Sequence, residues 1–175
     1  MRLFALRLRG FGYHFWQGLT YSGSVRLLFL TKAPKSHESH GYCSMTQLAG
    51  SDELNNITYK VIGAALKVHS RLGPGLLEHT YRRCLAQEIR LAGLSAECEV
   101  WITLDYEGLS IPEAYRMDLL VENQVVVEVK AVEKVRPVHH AQVLTYLKLG
   151  SKPIGLFFNF NAKRLPDDMK RLVNM

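Results

Sequence analysis

The stretch from residue 118 to residue 131, DLLVENQVVVEVKA, limits the possible folds more than any other part of this sequence. Two runs of Val and Leu lie on either side of residues 122–124, and this pattern predicts two strands joined by a tight turn. Three charged side chains interrupt the apolar runs: Asp118, Glu128 and Lys130. Charge inside apolar structure is costly unless it is paired, hydrogen-bonded or metal-bound. The fold must therefore give these three side chains a partner.

The predicted pairing of the two strands brings the charges together. Side chains alternate across a strand, so Glu128 and Lys130 point to the same face. If the turn is centred on Asn123, Asp118 lies opposite Glu128 on that face, whereas a slip of one residue would turn Asp118 to the other face. Two carboxylates this close repel each other unless a cation lies between them. The pattern therefore predicts a cation site on the hairpin.

A divalent metal ion is the cation that best fits a pair of carboxylates. Mg²⁺ prefers one or two carboxylates together with waters and a substrate phosphate, and Mn²⁺ is the alternative ion. Lys130 is a point charge suited to a phosphate or to positioning an attacking water. Asp118, Glu128 and Lys130 are thus predicted to serve metal-assisted hydrolysis of a phosphodiester. The competing interpretation is a surface ladder of salt bridges across a hairpin, which contributes little stability.

Three more side chains are predicted to reach the same site. Gln142 and Tyr146 are four residues apart, which places them on one face of a predicted helix. Glu78 lies at the start of another predicted helix, where the helix dipole favours a carboxylate. His139 and His140 are weaker candidates, because adjacent histidines on a helix point about 100° apart and cannot easily bind one ion. We expect these two histidines to be solvated side chains of the first helical turn.

Hydrophobic periodicity predicts the remaining elements. In chain order they are a helix over 55–72, a helix over about 76–91, a strand over 96–106, strands over 114–121 and 125–130, a helix over 139–150, a strand over 153–161 and a short closing helix, LPDDMKRLV. This order predicts an α/β (α+β) domain in which three consecutive strands and a crossover helix lead to a fourth strand. The result is a mixed four-stranded sheet with helices packed against it.

The net charge of +6 is concentrated at the front of the chain. Residues 1–44 contain six basic side chains but only one acidic side chain, so the rest of the chain is close to neutral. A general basic-protein argument for nucleic-acid binding therefore fails. The Arg-rich segment loosely resembles an organellar transit peptide, and its aromatic residues could suit single-stranded nucleic acid. We interpret residues 1–44 instead as a poorly ordered extension, with Met45 as a candidate start and residues 45–175 as a single domain.

The cysteines and the hydropathy pattern bear on the compartment. Three cysteines without CxxC spacing favour neither a disulfide framework nor a zinc site, and they fit a reducing compartment. No apolar run approaches the ~20 residues that a bilayer span needs. We therefore expect a cytoplasmic protein without a membrane partner.

Three segments of the sequence resemble the GxxExxY protein family, which is grouped within the PD-(D/E)xK nuclease-like superfamily. They are GPGLLEHTY, YRMDLLVENQVVVEVKAVEKVRPVHHAQVLTYLKL and IGLFFNF, and the resemblance covers about residues 54–174. It implies a restriction-endonuclease-like αβββαβ core. It also implies roles for six residues: Asp118 and Glu128 as metal ligands, Lys130 as the catalytic lysine, Glu78 as a further carboxylate of the metal shell, and Gln142 and Tyr146 as auxiliary helix positions.

The leading hypothesis from the sequence is a Mg²⁺- or Mn²⁺-dependent nuclease that acts on DNA. A rival from another class is a non-catalytic module that binds nucleic acid or protein and keeps the nuclease fold, which the near-neutral body of the chain favours. A metal phosphohydrolase of small molecules is a third option, because a fold alone does not fix a substrate.

Overall fold

A six-stranded mixed sheet runs through the residues that the computed structural model describes, which are 25–28 and 52–174. The strands are β1 (Val25–Leu28), β2 (Ala96–Tyr106), β3 (Leu109–Val121), β4 (Val125–Lys130), β5 (Ile154–Asn159) and β6 (Met169–Asn174). The helices are α1 (Asp52–Leu72), α2 (Glu78–Leu91), α3 (Pro137–Leu149) and a single 3-10 turn, Leu165–Asp168. None of these helices combines the length and the hydrophobicity that crossing a membrane requires.

The strand order is β1-β6-β5-β4-β3-β2, and only β4 and β5 are parallel. Helix α3 connects these two strands, because a parallel pair needs a crossover rather than a hairpin. The central strands are covered on both faces, which explains why all six residues of β5 are buried. The predicted αβββαβ order and the mixed sheet with flanking helices are confirmed.

Alternation along β4 divides the apolar core into two clusters. Val127 and Val129 pack in the cluster formed with α1 and α2, whereas Val126 packs in the cluster formed with α3. The neighbouring strand β3 changes face near its centre. Met117 lies in the α3 cluster and Leu119 in the other, although residues two apart on a regular strand share one face. Asp118 therefore lies at a local irregularity of the sheet.

The prediction of a helix over LPDDMKRLV is wrong. Leu165–Asp168 form one 3-10 turn, and the chain then continues as strand β6, which pairs with β5. A fully buried strand such as β5 needs a neighbour along each side, and this tertiary requirement overrides the helical propensity of a short segment. With β6 and β1, two strands extend the predicted four-stranded sheet.

Most of the predicted N-terminal extension lies outside the described residues, which include only Val25–Leu28 of residues 1–44. These four residues form β1, which pairs with the outer side of β6. The proposed domain boundary at residue 45 stays a prediction.

Candidate active site

The turn between β3 and β4 fixes the register that the site requires. Glu122 and Asn123 adopt left-handed backbone angles, with φ of 50° and 52°, as the tight turns favoured in hairpins require. Val121 pairs with Val125, and the ladder continues to the pair of Leu119 and Val127. The predicted register is therefore present as far as Leu119 and Val127, and Asp118 and Glu128 are the next residues along the two strands.

The Asp118 carboxylate lies where the β3–β4 ladder ends. Its Oδ2 accepts a hydrogen bond of 2.9 Å from the backbone N–H of Val129. A side-chain oxygen thus takes the place of a strand carbonyl, because β3 has no recorded ladder pair with β4 beyond Leu119. Only 11% of the Asp118 side chain is exposed. The carboxylate is therefore bonded to the residue that follows Glu128 and does not point into solvent.

Glu128 is the most deeply buried acid of the site, with 1% of its side chain exposed. Its Oε1 lies 2.5 Å from Nζ of Lys130. Its Oε2 is buried and has no hydrogen-bond partner among the described residues. Burial, together with repulsion from Asp118, raises the pKa of Glu128 to about 7, although Lys130 opposes the rise. A carboxylate oxygen without a partner in such a place is costly, and a bound cation would remove that cost.

Lys130 connects Glu128 to the start of α2. Its Nζ lies 3.6 Å from Oε1 of Glu78, and 15% of its side chain is exposed. Burial by itself would lower the pKa of Lys130, but attraction to Glu128, Glu78 and Asp118 outweighs burial and raises it. The amine therefore stays protonated and acts as a fixed positive charge at the site.

The position of Glu78 depends on the loop between α1 and α2. Gly75 has a φ of 103°, a backbone conformation that residues other than glycine rarely adopt. The hydroxyl of Tyr81 donates to the carbonyl of Gly73 and accepts from the backbone N–H of Leu76. The ring of Tyr81 is fully buried and stacks on Phe160, with ring centroids 4.7 Å apart. Tyr81 is therefore a core residue, and the same residue holds the loop that presents Glu78.

Helix α3 supplies the other two predicted residues. The side-chain amide of Gln142 donates to the hydroxyl of Tyr146, which is 3% exposed. Burial raises the pKa of Tyr146, the bond from Gln142 opposes the rise, and the charge of Glu128 adds to it. The Tyr146 hydroxyl therefore remains protonated, and it lies close enough to Glu128 for the charge of that acid to affect its pKa. The structure thus brings Glu78, Asp118, Glu128 and Lys130 together at the end of β3 and β4, and the pair of Gln142 and Tyr146 lies on the helix that covers the α3 side of the sheet.

Arg82 is a component of the site that the sequence analysis missed. Its Nη1 donates to Oδ1 of Asp118 at 2.9 Å, and its Nη2 donates to Oε1 of Glu99 at 3.0 Å. Burial by itself would lower the pKa of Arg82, but the hydrogen bond and the charge of Asp118, together with the charge of Glu99, outweigh burial and raise the pKa. The sequence carried a signal: Arg82 is four residues after Glu78, so both project from the same face of α2.

The two histidines are not the solvated side chains that the sequence predicted. His139 is 8% exposed, and its ring accepts a hydrogen bond from the backbone N–H of Arg136, which completes the start of α3. His140 packs edge-on against Phe157, and burial lowers its pKa to about 4. The apolar side chains of β5 cover this end of α3, and sequence periodicity alone did not reveal that contact.

The carboxylate oxygens of the site match the ligands that a divalent metal ion prefers. Within residues 52–174, no three His, Cys, Asp or Glu side chains form a preformed metal-binding group. Mg²⁺ does not require such a group, because it binds through one or two carboxylates and keeps several waters. Oε2 of Glu128 is an unpaired carboxylate oxygen, and Asp118 lies beside it. The residues present therefore fit a hydrated divalent ion held by few protein ligands.

Comparison with known proteins gives two further findings. The family model described as PD-(D/E)XK nuclease superfamily matches residues 55–172. Among solved structures, SSO0001 is similar over 71% of this chain and 78% of its own, at 20% sequence identity and a TM-score of 0.34. No curated protein matches the sequence significantly.

Proposed function

Because the chain belongs to the PD-(D/E)XK nuclease superfamily, we propose that it is a nuclease that hydrolyses phosphodiester bonds with a divalent metal ion. Nucleases of this superfamily generally use divalent metals. The observation that carries the proposal is the buried, unpaired Oε2 of Glu128 beside Asp118 and Lys130. A salt-bridge ladder on a hairpin surface would leave both carboxylates in solvent, whereas Glu128 is buried.

Each residue of the site has a separate proposed role. Asp118 and Glu128 would hold Mg²⁺ or Mn²⁺, with Glu78 as a further carboxylate of the metal shell. The ion, when bound, polarises the phosphoryl oxygen and lowers the pKa of a coordinated water. Lys130 keeps its proton, so it orients the attacking water and stabilises the negative charge that develops on the phosphate. With these roles, the proposed reaction takes place at the end of β3 and β4.

Helix α3 provides the proposed contacts with substrate. Tyr146 stays protonated, and Gln142 orients the Tyr146 hydroxyl, so the pair can present donors to a phosphate or sugar oxygen. We propose DNA as the substrate and the GxxExxY group as the closer family. The motif residues Gly75, Glu78 and Tyr81 have the separate structural tasks described above, which supports this assignment. The cysteine pattern supports a cytoplasmic location.

The metal requirement is the first test of this proposal. We expect the protein to cleave at least one member of a panel of labelled single-stranded, duplex and branched DNA and RNA when Mg²⁺ or Mn²⁺ is present. Cleavage should stop when EDTA is added and return when excess metal is restored. Gel electrophoresis of the labelled products measures this directly. Cleavage that persists in EDTA would rule out the proposed chemistry.

A non-catalytic binding module is the second candidate, and one contact favours it. Both oxygens of Asp118 already accept hydrogen bonds, from Arg82 and from the N–H of Val129. A metal ion would therefore have to share Asp118 with a guanidinium. Calorimetric titration with Mn²⁺ separates the two candidates, because only the nuclease should show an affinity that is lost in Glu128→Gln.

A further inference from the structure

One carboxylate oxygen on β2 is bound by two guanidinium groups. Oε1 of Glu99 lies 3.0 Å from Nη2 of Arg82 and 2.9 Å from Nη1 of Arg116. The two arginines come from different elements, α2 and β3, and both direct a nitrogen at the same point. Two guanidiniums that converge on one anionic oxygen also have the geometry that a phosphate group requires.

Glu99 is held in this place by an unusual backbone conformation. Its φ is 59°, in the left-handed region, which is rare for a residue within a strand. Such a conformation costs free energy and persists only when its surroundings impose it, often at functional sites. The Glu99 side chain is nevertheless 43% exposed. The cluster of Glu99 and the two arginines therefore lies at the surface of the protein, where a ligand from solvent can approach it.

The arginines are fixed on their other sides. Arg82 is anchored by Asp118 of the candidate metal site and has only 13% of its side chain exposed. The guanidinium of Arg116 lies over the ring of Trp101, 5.3 Å from its centroid, and the Trp101 side of this pair is half exposed. Without Glu99, Arg82 would keep its bond to Asp118, and Arg116, which is 46% exposed, would keep its contact with Trp101. This preorganisation is what distinguishes the cluster from an ordinary surface ion pair.

We propose that Arg82 and Arg116 form a binding subsite for a backbone phosphate of the nucleic-acid substrate, and that Glu99 occupies this subsite in the free protein. The inference rests on the proposed nuclease function, because it places the subsite one guanidinium away from Asp118. A phosphate of the bound strand displaces the Glu99 carboxylate and takes its two donors. The Trp101 ring beside Arg116 offers an apolar surface for the adjoining nucleotide, since aromatic rings stack on bases of any sequence.

Binding measured without catalysis tests the subsite. Fluorescence anisotropy with a short labelled single-stranded DNA in EDTA reports affinity while hydrolysis is prevented. Glu99→Gln removes the competing charge but keeps the shape of the side chain. We expect it to bind DNA about fivefold more tightly than the unsubstituted protein, the scale expected when two partly exposed ion pairs no longer compete. Glu97→Gln is the matched control, because Glu97 is an exposed acid of the same strand.

The salt dependence of binding identifies the contact as a phosphate. Arg116→Gln should weaken binding and reduce the slope of log affinity against log salt by about 0.7, the value for one phosphate contact on a single strand. Arg164→Gln, at an exposed arginine with 64% of its side chain accessible, should leave the slope unchanged. The proposal is overturned if Glu99→Gln binds no more tightly than Glu97→Gln, if Arg116→Gln leaves the slope unchanged, or if none of the proteins binds DNA.

These results are distinguishable from failure of the nuclease proposal. A protein that cleaves DNA with Mg²⁺ but shows no effect of Glu99→Gln refutes the subsite alone. A protein that never cleaves, but binds DNA more tightly when it carries Glu99→Gln, supports the subsite and refutes the hydrolysis.

Discussion

Replacing Asp118 with Asn is expected to lower the rate of Mg²⁺-dependent cleavage by about 1,000-fold, and replacing Lys130 with Met by about 100-fold or more. A catalytic metal ion supplies several kcal/mol of charge stabilisation, and each ~1.4 kcal/mol changes the rate about tenfold. The Asp118→Asn substitution keeps the shape of the side chain but removes one charged ligand. The Lys130→Met substitution removes a positive charge from a buried site, where one lost electrostatic contact costs about 100- to 1,000-fold.

Matched substitutions on the same part of the fold separate chemistry from folding. Asp105→Asn changes the same chemical group at an exposed position of β2, and Lys134→Met does the same in the loop after β4. Both controls should cleave at the unsubstituted rate. Single-turnover cleavage with saturating enzyme measures the chemical step, and thermal denaturation checks that each variant is folded. Equal rates for Asp118→Asn and Asp105→Asn would remove Asp118 from the mechanism.

The buried acid Glu128 should make the metal-free protein less stable as pH rises. Its pKa is about 7 in the folded chain against an ordinary value of 4.5, because it is buried and lies near Asp118. Between these two pH values the folded state holds a proton that the unfolded state has lost. The free energy of unfolding contributed by Glu128 therefore falls as pH rises through this window, by about 3 kcal/mol in total. Glu128→Gln should lack this fall.

The quantity to measure is the difference in free energy of unfolding between the unsubstituted protein and Glu128→Gln, because His140 changes stability in the opposite direction. Burial lowers the pKa of His140 to about 4 from 6.5, so its contribution to stability rises as pH increases between those values. Urea denaturation of metal-free protein at several pH values, with and without Glu128→Gln, cancels the His140 contribution. Glu133→Gln, at an exposed acid of the next loop, controls for the change in charge. Parallel stability curves for the unsubstituted protein and Glu128→Gln would show that Glu128 is not perturbed.

The core of the fold and the arrangement of the acids could be predicted because both depend on local sequence. The turn at residues 122–124 fixes the register of β3 and β4 as far as the pair of Leu119 and Val127, so Asp118 and Glu128 are the next residues on the two strands. The apolar runs that become β4 and β5 are too hydrophobic for anything but a central, doubly covered pair. The restriction-endonuclease-like αβββαβ arrangement follows from the order of those runs.

The features that could not be predicted all depend on contacts between distant parts of the chain. Strand β6 forms because β5 offers an unpaired edge. The segment LPDDMKRLV itself contains no pattern that predicts this pairing. The two arginine partners of Glu99 come from α2 and β3, so the sequence around Glu99 does not reveal them. Arg82 was overlooked because its partner Asp118 is 36 residues away in sequence. Polar groups of this kind are found only after the tertiary packing is known.

The contact between Arg82 and Asp118 links the fold to the proposed chemistry. Removing one partner of a buried ion pair leaves an uncompensated charge, so the pair holds α2 against β3. The same guanidinium competes with a metal ion for Asp118 and, on its other side, meets Glu99. Binding of substrate phosphate and binding of metal would thus act on one shared residue.

A crystal of the protein soaked in Mn²⁺ would locate the ion by its anomalous scattering. We expect an anomalous peak within the short oxygen–metal distances of about 2–2.5 Å from Oε2 of Glu128 and from a carboxylate oxygen of Asp118. The peak should be missing from crystals of Glu128→Gln soaked in the same way. A fully soaked crystal with no peak between these two carboxylates, or with its peak elsewhere on the protein, would show that Asp118 and Glu128 do not share a metal ion.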